Sequence, residues 1–304
     1  MIDMHYDLLS ILYYSYLKND FSYINELKKY FNDNNVNGVI ANLYFMDRES
    51  MKSEIGNKEI NVKEMFKVSI SLFKKYFPNV KVIFSIEGCD YIDINELDEL
   101  KKIGLGSILL TWNNKNIYGS GAKGDGGLTE LGKCFLRKSI DLGLIIDLSH
   151  MNENTFYDTV KLLKEEKSKG KNIKVILSHS NCYNICSVPR NVKDKQIESL
   201  KDLDVIIGLV SYSHFISKDT FEVEKLRNIY LEHINYVVGI LGIDHVGIAT
   251  DDMMFDNILF GKDKIDGVFS YKSLKKDLYK LLEKYYNKSD IEKILYKNIE
   301  RLFN

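Results

Sequence analysis

Short apolar runs alternate along this chain with stretches whose apolar residues recur every three or four positions. Ile2-Asp3-Met4-His5-Tyr6-Asp7 opens it as a first strand, and Leu8–Asn34 follows as a helix with Phe21, Ile24, Leu27 and Phe31 on one stripe. Val36–Tyr44 is the second strand. Asn61 and Glu64 have the spacing of a capping box, and Met65, Val68, Leu72 and Tyr76 recur at helical spacing behind them. Lys81–Glu87 is the third strand, and a short helix through Leu97 and Leu100 leads to the fourth, Ser107–Trp112. A helix over Leu128–Leu142 precedes the fifth strand, Leu144–His150, and the helix Glu153–Lys169 ends in lysines before Gly170. Lys174–His179 and Asp204–Val210 are the sixth and seventh strands. Leu226, Tyr230, His233, Val237 and Leu241 mark the next helix, and His245–Asp251 is the eighth strand. Ser289 with Glu292 caps a last helix whose stripe is Ile291, Leu295, Ile299 and Leu302.

Eight strands alternating with helices predict an α/β fold, a (β/α)8 TIM-type barrel, with residues 1–304 as a single domain. An open doubly wound sheet is the alternative. It does not account for where the polar residues fall: His5, Asp7, Glu87, His150, His179 and Asp251 all stand at or near carboxyl ends of strands. In a barrel those ends converge on one face, the face where active sites are built.

Composition narrows the class. Lys and Arg number 42 and Asp and Glu 43, so no net charge points to nucleic acid or an anionic membrane. No apolar run approaches the roughly 18 residues of a membrane span, and no charged leader precedes the first strand. A cytoplasmic protein is expected, with no membrane anchor. Cys89, Cys134, Cys182 and Cys186 contain no C-x-x-C spacing and are read as reduced thiols. His233 lies on an apolar stripe and His245 opens a strand, so both are read as packing residues, as is His214 after the seventh strand. The glycines of Gly119–Gly127 lack a G-K-[ST] ending and are expected to form a flexible lid, not a phosphate cradle.

His5 and Asp7 are two apart, so on a strand they project from the same face. Imidazole nitrogen and carboxylate oxygen are the donors that zinc and similar divalent ions accept. Three imidazoles and three carboxylates on one face would be costly if left unpaired, and two divalent ions would resolve that cost. Glu87 is the natural bridge, since a carboxylate offers an oxygen to each ion. A water shared between the ions would lose a proton near neutral pH and become a nucleophile.

Several segments in order resemble the signatures of the membrane (renal) dipeptidase family. They are Asp3-Met4-His5-Tyr6-Asp7, Ile86-Glu87-Gly88, Leu110-Thr111-Trp112-Asn113, Gly127-Leu128-Thr129 and Asp147-Leu148-Ser149-His150. Ser178-His179-Ser180, Arg190-Asn191-Val192 and Asp244–Asp251 continue the series, with a weaker echo in Lys293–Asn298. The resemblance implies a binuclear zinc dipeptidase that cleaves small dipeptides through a metal-bridging hydroxide. It implies one zinc on His5, Asp7, Glu87 and Asp251 and a second on Glu87, His150 and His179. Asp251 is implied as the proton acceptor and donor, and Arg190 as the partner of the substrate's terminal carboxylate. Its planar fork suits a carboxylate better than lysine would.

Two departures bear on this. The family's mammalian members carry a histidine beside the substrate carbonyl where this chain has Trp112, so Trp112 is expected to line the substrate pocket. The family's D-F-D-G run is here Asp251-Asp252-Met253-Met254. Another amidohydrolase reaction on a lactone or phosphoester remains open, as does a catalytically silent metal-binding relative. So does assembly as a homodimer.

Overall fold

The computed structural model describes residues 1–55, 60–251, 268–269 and 273–303. The altered run Asp252–Met254 lies outside the described residues. Eight strands close a parallel barrel in chain order. They are β1 (Ile2–Tyr6), β2 (Gly38–Tyr44), β3 (Lys81–Glu87), β4 (Leu105–Leu109), β5 (Ile145–Asp147), β6 (Val175–Leu177), β7 (Val205–Val210) and β8 (Val246–Ala249). The pairing of Asp3 with Ile248 closes the ring between β1 and β8. Register lines up the carboxyl ends: Tyr44 is opposite Glu87, Glu87 opposite Leu109, and Leu109 opposite Asp147.

Two apolar layers hold the ring. Inside it, Ile2, Met4, Ile40, Ile83, Ile145, Ile176 and Ile206 pack together, with Ile299 and Leu302 of the C-terminal segment closing the foot. Outside it, aromatic side chains such as Phe66, Phe73, Phe135, Phe156 and Tyr230 fill the space between strands and helices. The interior has no spare room: a Cβ on Gly247 would stand 2.3 Å from Met4 Sδ, and one on Gly208 would stand 2.0 Å from the Ser178 carbonyl oxygen.

The structure moves several predicted boundaries. Leu8–Asn34 divides into helices Leu8–Lys18 and Ser22–Asp33, because Asn19 adopts a left-handed φ of 50° and ends the first. Asn61 caps its helix by accepting from the Glu64 N–H at 3.0 Å, as its spacing predicts. Ser289 does not cap the last helical segment; Asn287 does, accepting from the Asp290 N–H at 3.1 Å. The fourth, fifth, sixth and eighth strands stop at Leu109, Asp147, Leu177 and Ala249. Trp112, His150, His179 and Asp251 therefore stand two or three residues beyond the strands, with the Asp251 N–H still bonded to the His5 carbonyl at 3.1 Å.

Of the histidines read as packing residues, His233 is buried as expected, whereas His214 is exposed. His233 is fully buried, accepts the Cys182 N–H at Nδ1 (3.0 Å) and donates from Nε2 to the Ile216 carbonyl (3.0 Å). Burial pulls its pKa down to about 4. His245 Nδ1 bonds the Val205 carbonyl at 2.7 Å, and exposed His214 stacks on Tyr212. All four cysteines are free. Among the described residues, no helix is long and apolar enough to cross a membrane.

Candidate metal centre

The six polar strand-end residues meet at the mouth of the barrel. His5 Nε2 lies 3.0 Å from Glu87 Oε2, 3.7 Å from Asp251 Oδ1 and 3.8 Å from Asp7 Oδ1. The other Glu87 oxygen, Oε1, lies 3.0 Å from His150 Nε2, and His150 Nε2 lies 2.9 Å from His179 Nε2. Glu87 thus turns one oxygen to each half of the cluster. His5, Glu87, His150 and His179 are buried, while Asp7 and Asp251 are partly exposed at the rim. The rings of His5 and His179 meet at a tilt of 34°, with centroids 3.7 Å apart, so the two halves are contiguous.

The remote ring nitrogens are held from behind. His150 Nδ1 lies 3.2 Å from Asn113 Oδ1, an acceptor, so the proton belongs on Nδ1 and the Nε2 lone pair faces the cluster. The Ser178 hydroxyl lies between His179 Nδ1 (2.8 Å) and His5 Nδ1 (3.1 Å). A hydroxyl accepting from His179 Nδ1 leaves the His179 Nε2 lone pair directed inward, the arrangement metal-binding histidines use. His5 Nδ1 also faces the Asn42 amide nitrogen, at 3.1 Å. Two members of the cluster have left-handed backbone, His150 at φ 67° and Asp251 at φ 46°. A residue with a Cβ held there costs about 1–2 kcal/mol, and such strain collects at functional sites.

The protein's own field divides the imidazoles. Burial alone would lower the His5 pKa, but Glu87, Asp251 and Asp7 outweigh it and push it up to about 10. Burial would raise Glu87, yet His5 and His150 hold it well below the usual carboxylate range. His150 is pulled down to about 3 by burial, with Arg190 adding to the shift. His179 is also held far down, by burial and then by His5 and Arg190.

Arg190 is buried, with its guanidinium 5.5 Å over the Phe215 ring. Its Nη2 is enclosed and, among the described residues, has no hydrogen-bond partner. Burial lowers its pKa to about 10, still above neutrality, with Asp251 and Glu87 opposing the shift. A cleft of about 260 Å³ opens beside it, lined in part by His150, Tyr183, Pro189, Arg190 and Lys193. Trp112 lies beside His150, ring centroids 6.4 Å apart, and meets the Tyr44 ring edge-on at 5.5 Å. The tyrosine at the end of β2, the asparagine behind His150 and the phenylalanine under Arg190 were missed by sequence reasoning. Tyr44 and Asn113 at least stand at strand ends; nothing local marks Phe215.

The glycine-rich loop departs from expectation. It is strapped down, with the Ser120 N–H on Thr155 Oγ1 (3.0 Å), Asn152 Nδ2 on the carbonyls of Gly124 (3.0 Å) and Gly126 (2.9 Å), and Leu128 N–H on Asp158 (3.1 Å). Gly121 is pressed so closely under Trp112 that a Cβ would stand 1.6 Å from its carbonyl oxygen. The loop buttresses Trp112; it is no free lid.

The donor chemistry fits divalent metal. His5, Glu87 and His179 can each offer one atom with all three atoms within 4.8 Å of one another, and so can His5, Asp7 and Asp251. His5 Nε2 and Glu87 Oε2 are enclosed without a hydrogen bond of good geometry although they face each other. Two such atoms left so would be costly, whereas an ion between them satisfies both.

The fold and this cluster define a (β/α)8 barrel with metal-donor side chains at its mouth. The chain belongs to the membrane dipeptidase family, peptidase family M19, whose model matches residues 59–304. His5 and Asp7 precede the matched stretch. Among curated relatives, an uncharacterized protein in the pqqA 5' region of Klebsiella pneumoniae is 29% identical over 188 residues, 58% of this chain and 65% of that protein. An uncharacterized dipeptidase of Schizosaccharomyces pombe is 28% identical over 204 residues, 64% of this chain and 46% of that protein. The matches thus span about half to two thirds of these relatives' length. Solved structures share the fold. The M19 metallopeptidase described as dipeptidase AC is 19% identical with a TM-score of 0.78, over 99% of this chain and 97% of that one. A metallopeptidase from Rhodobacter sphaeroides, liganded with a phosphinate mimic of the dipeptide L-Ala-D-Ala, is 18% identical with a TM-score of 0.76 over the same shares.

Proposed function

We propose that this chain is a binuclear zinc dipeptidase acting on small dipeptides. His5, Asp7, Glu87 and Asp251 would hold one ion, and Glu87, His150 and His179 the other. Ions held there would polarise a carbonyl and acidify water near neutral pH. The observation that carries the reading is the division of Glu87, one oxygen 3.0 Å from His5 and the other 3.0 Å from His150.

The protein's own groups do the rest. Arg190 lines the cleft beside His150 and offers an unpartnered Nη2 to the substrate's terminal carboxylate. Asp251, at the rim, takes the proton released as water adds to the peptide carbonyl and returns it to the leaving amine nitrogen. Trp112, packed against Tyr44 and close to His150, restricts the reacting residue to small side chains. The Rhodobacter structure's dipeptide mimic makes Ala-Ala dipeptides the first substrates to try.

The test compares kcat/KM of zinc-loaded protein on free-acid and C-terminally amidated dialanine. Hydrolysis of the free acid is expected. Arg190→Ala should lower kcat/KM on it by about ten- to a hundredfold, the loss of a charge-assisted bond of roughly 1.5–3 kcal/mol. Equal wild-type rates on acid and amide would remove Arg190 from this role, and no hydrolysis of any dipeptide would reject the activity.

A further inference from the structure

Two buried aspartates stand behind the cluster and take no direct part in it. Asp3 Oδ1 accepts two backbone N–H groups, from His5 at 3.2 Å on its own strand and from Thr250 at 3.0 Å at the end of the neighbouring β8. Asp147 Oδ1 repeats the pattern: it accepts from Ser149 at 3.0 Å on its own strand end and from Ser178 at 3.0 Å at the end of the neighbouring β6. In each case a single oxygen ties an amide two residues ahead to an amide on the adjacent strand.

The four amides are not arbitrary. One belongs to His5, and the other three immediately precede Asp251, His150 and His179. Asp251 and His150 are the two cluster residues with left-handed backbone. The carboxylates are themselves held. Asp3 Oδ2 accepts from Thr250 Oγ1 at 2.6 Å and from Tyr30 Oη at 3.3 Å, and both aspartates are essentially fully buried. Strands β5 and β6 have only three residues each, so the ladder ends before the ligands and cannot by itself fix where they point. An acceptor shared by two strand ends supplies what the ladder lacks.

We infer that Asp3 and Asp147 are twin positioning residues, each presetting one half of the metal centre: Asp3 the β1–β8 half with His5 and Asp251, Asp147 the β5–β6 half with His150 and His179. The inference rests on the metal-centre reading above. Neither aspartate touches the ion or the substrate; each acts through the backbone of the residues that do.

The experiment measures zinc affinity of the two sites by titration of metal-free protein, with elemental analysis for stoichiometry and thermal melts for folding. Asp147→Ala is expected to weaken one of two zinc sites by about ten- to a hundredfold, the usual cost of losing outer support, and to leave the other within about threefold. Asp3→Ala should do the same to the other site. To identify the half, each change is added to His179→Ala: Asp147→Ala should then alter the remaining site by less than about threefold, while Asp3→Ala should still weaken it by the full factor. Asparagine keeps an Oδ1 that can accept both amides, so Asp3→Asn and Asp147→Asn should restore near wild-type affinity. If an alanine variant does not fold, the glutamate variant replaces it, since a further methylene displaces the oxygen, and the same selective loss is expected. Folded variants that hold both ions as wild type does would overturn the inference. So would variants that weaken both sites equally, or asparagine variants as poor as alanine. Wild-type protein that takes up no zinc would instead reject the metal-centre reading itself.

Discussion

At the foot of the barrel, Ile299 and Leu302 close an interior of the apolar side chains Ile2, Met4, Ile83, Ile176 and Ile206, where Gly247 leaves no room for a Cβ. At the mouth, a few residues further along the same strands, three imidazoles and the Glu87 carboxylate are enclosed at 2.9–3.0 Å, with His150 and the rim residue Asp251 on left-handed backbone. The foot gains stability from each group it buries. The mouth carries desolvated charge, strain and an arginine nitrogen with no hydrogen-bond partner among the described residues, each of which lowers stability in the protein alone. The two ends therefore should respond oppositely to substitution: changes at the foot should cost stability and spare metal binding, and changes at the mouth should do the reverse.

Glu87→Ala gives the largest separation. As the one carboxylate facing both halves, its loss should lower occupancy of both ions, whereas His179→Ala should mainly empty one. Elemental analysis finding two metals per chain retained in Glu87→Ala would remove the bridge. Ile299→Ala at the foot should lower unfolding stability by about 2–5 kcal/mol through the cavity it leaves. Denaturant melts would show this with metal content unchanged; lost metal at normal stability would break the comparison.

His233 tests whether a histidine away from the mouth behaves as foot-like packing. Its folded pKa of about 4 lies below its ordinary value of 6.5, so the unfolded chain binds more protons between these values. Its contribution is therefore fully present above about pH 6.5, is lost as pH falls toward about 4, and totals roughly 3 kcal/mol. Relative to His233→Gln, the wild type should lose about 2 kcal/mol between pH 7 and 5. Urea melts at the two pH values measure it, and parallel losses in both proteins would assign the acid sensitivity elsewhere.

The smallest effect isolates strain. His150→Gly and His150→Ala both remove the imidazole, but only glycine relaxes a φ of 67°. The glycine variant should be the more stable by about 1 kcal/mol, which paired thermal melts can resolve. The same stability in both would mean that the mouth stores no backbone strain at His150.

Local patterning was enough to read the barrel, because burial on a strand or helix imposes its period on each residue independently. It also marked the six polar strand ends, which stand out because each follows an apolar run. The tertiary structure alone decided the rest, since closure of the ring chooses partners far apart in sequence. Asp3 meets Thr250 across 247 positions, and Phe215 comes to lie beneath Arg190. The short strands could not be read either, because residues leaving the ladder toward the mouth keep the same apolar neighbours as those still in it. Likewise, the glycines of 119–127 carry the composition of a mobile loop. Side chains at the start of the distant helix Glu153–Ser168 (Asn152, Thr155 and Asp158) and backbone bonds from Gly121 and Lys123 to Asn114 and Asn113 hold that loop against Trp112.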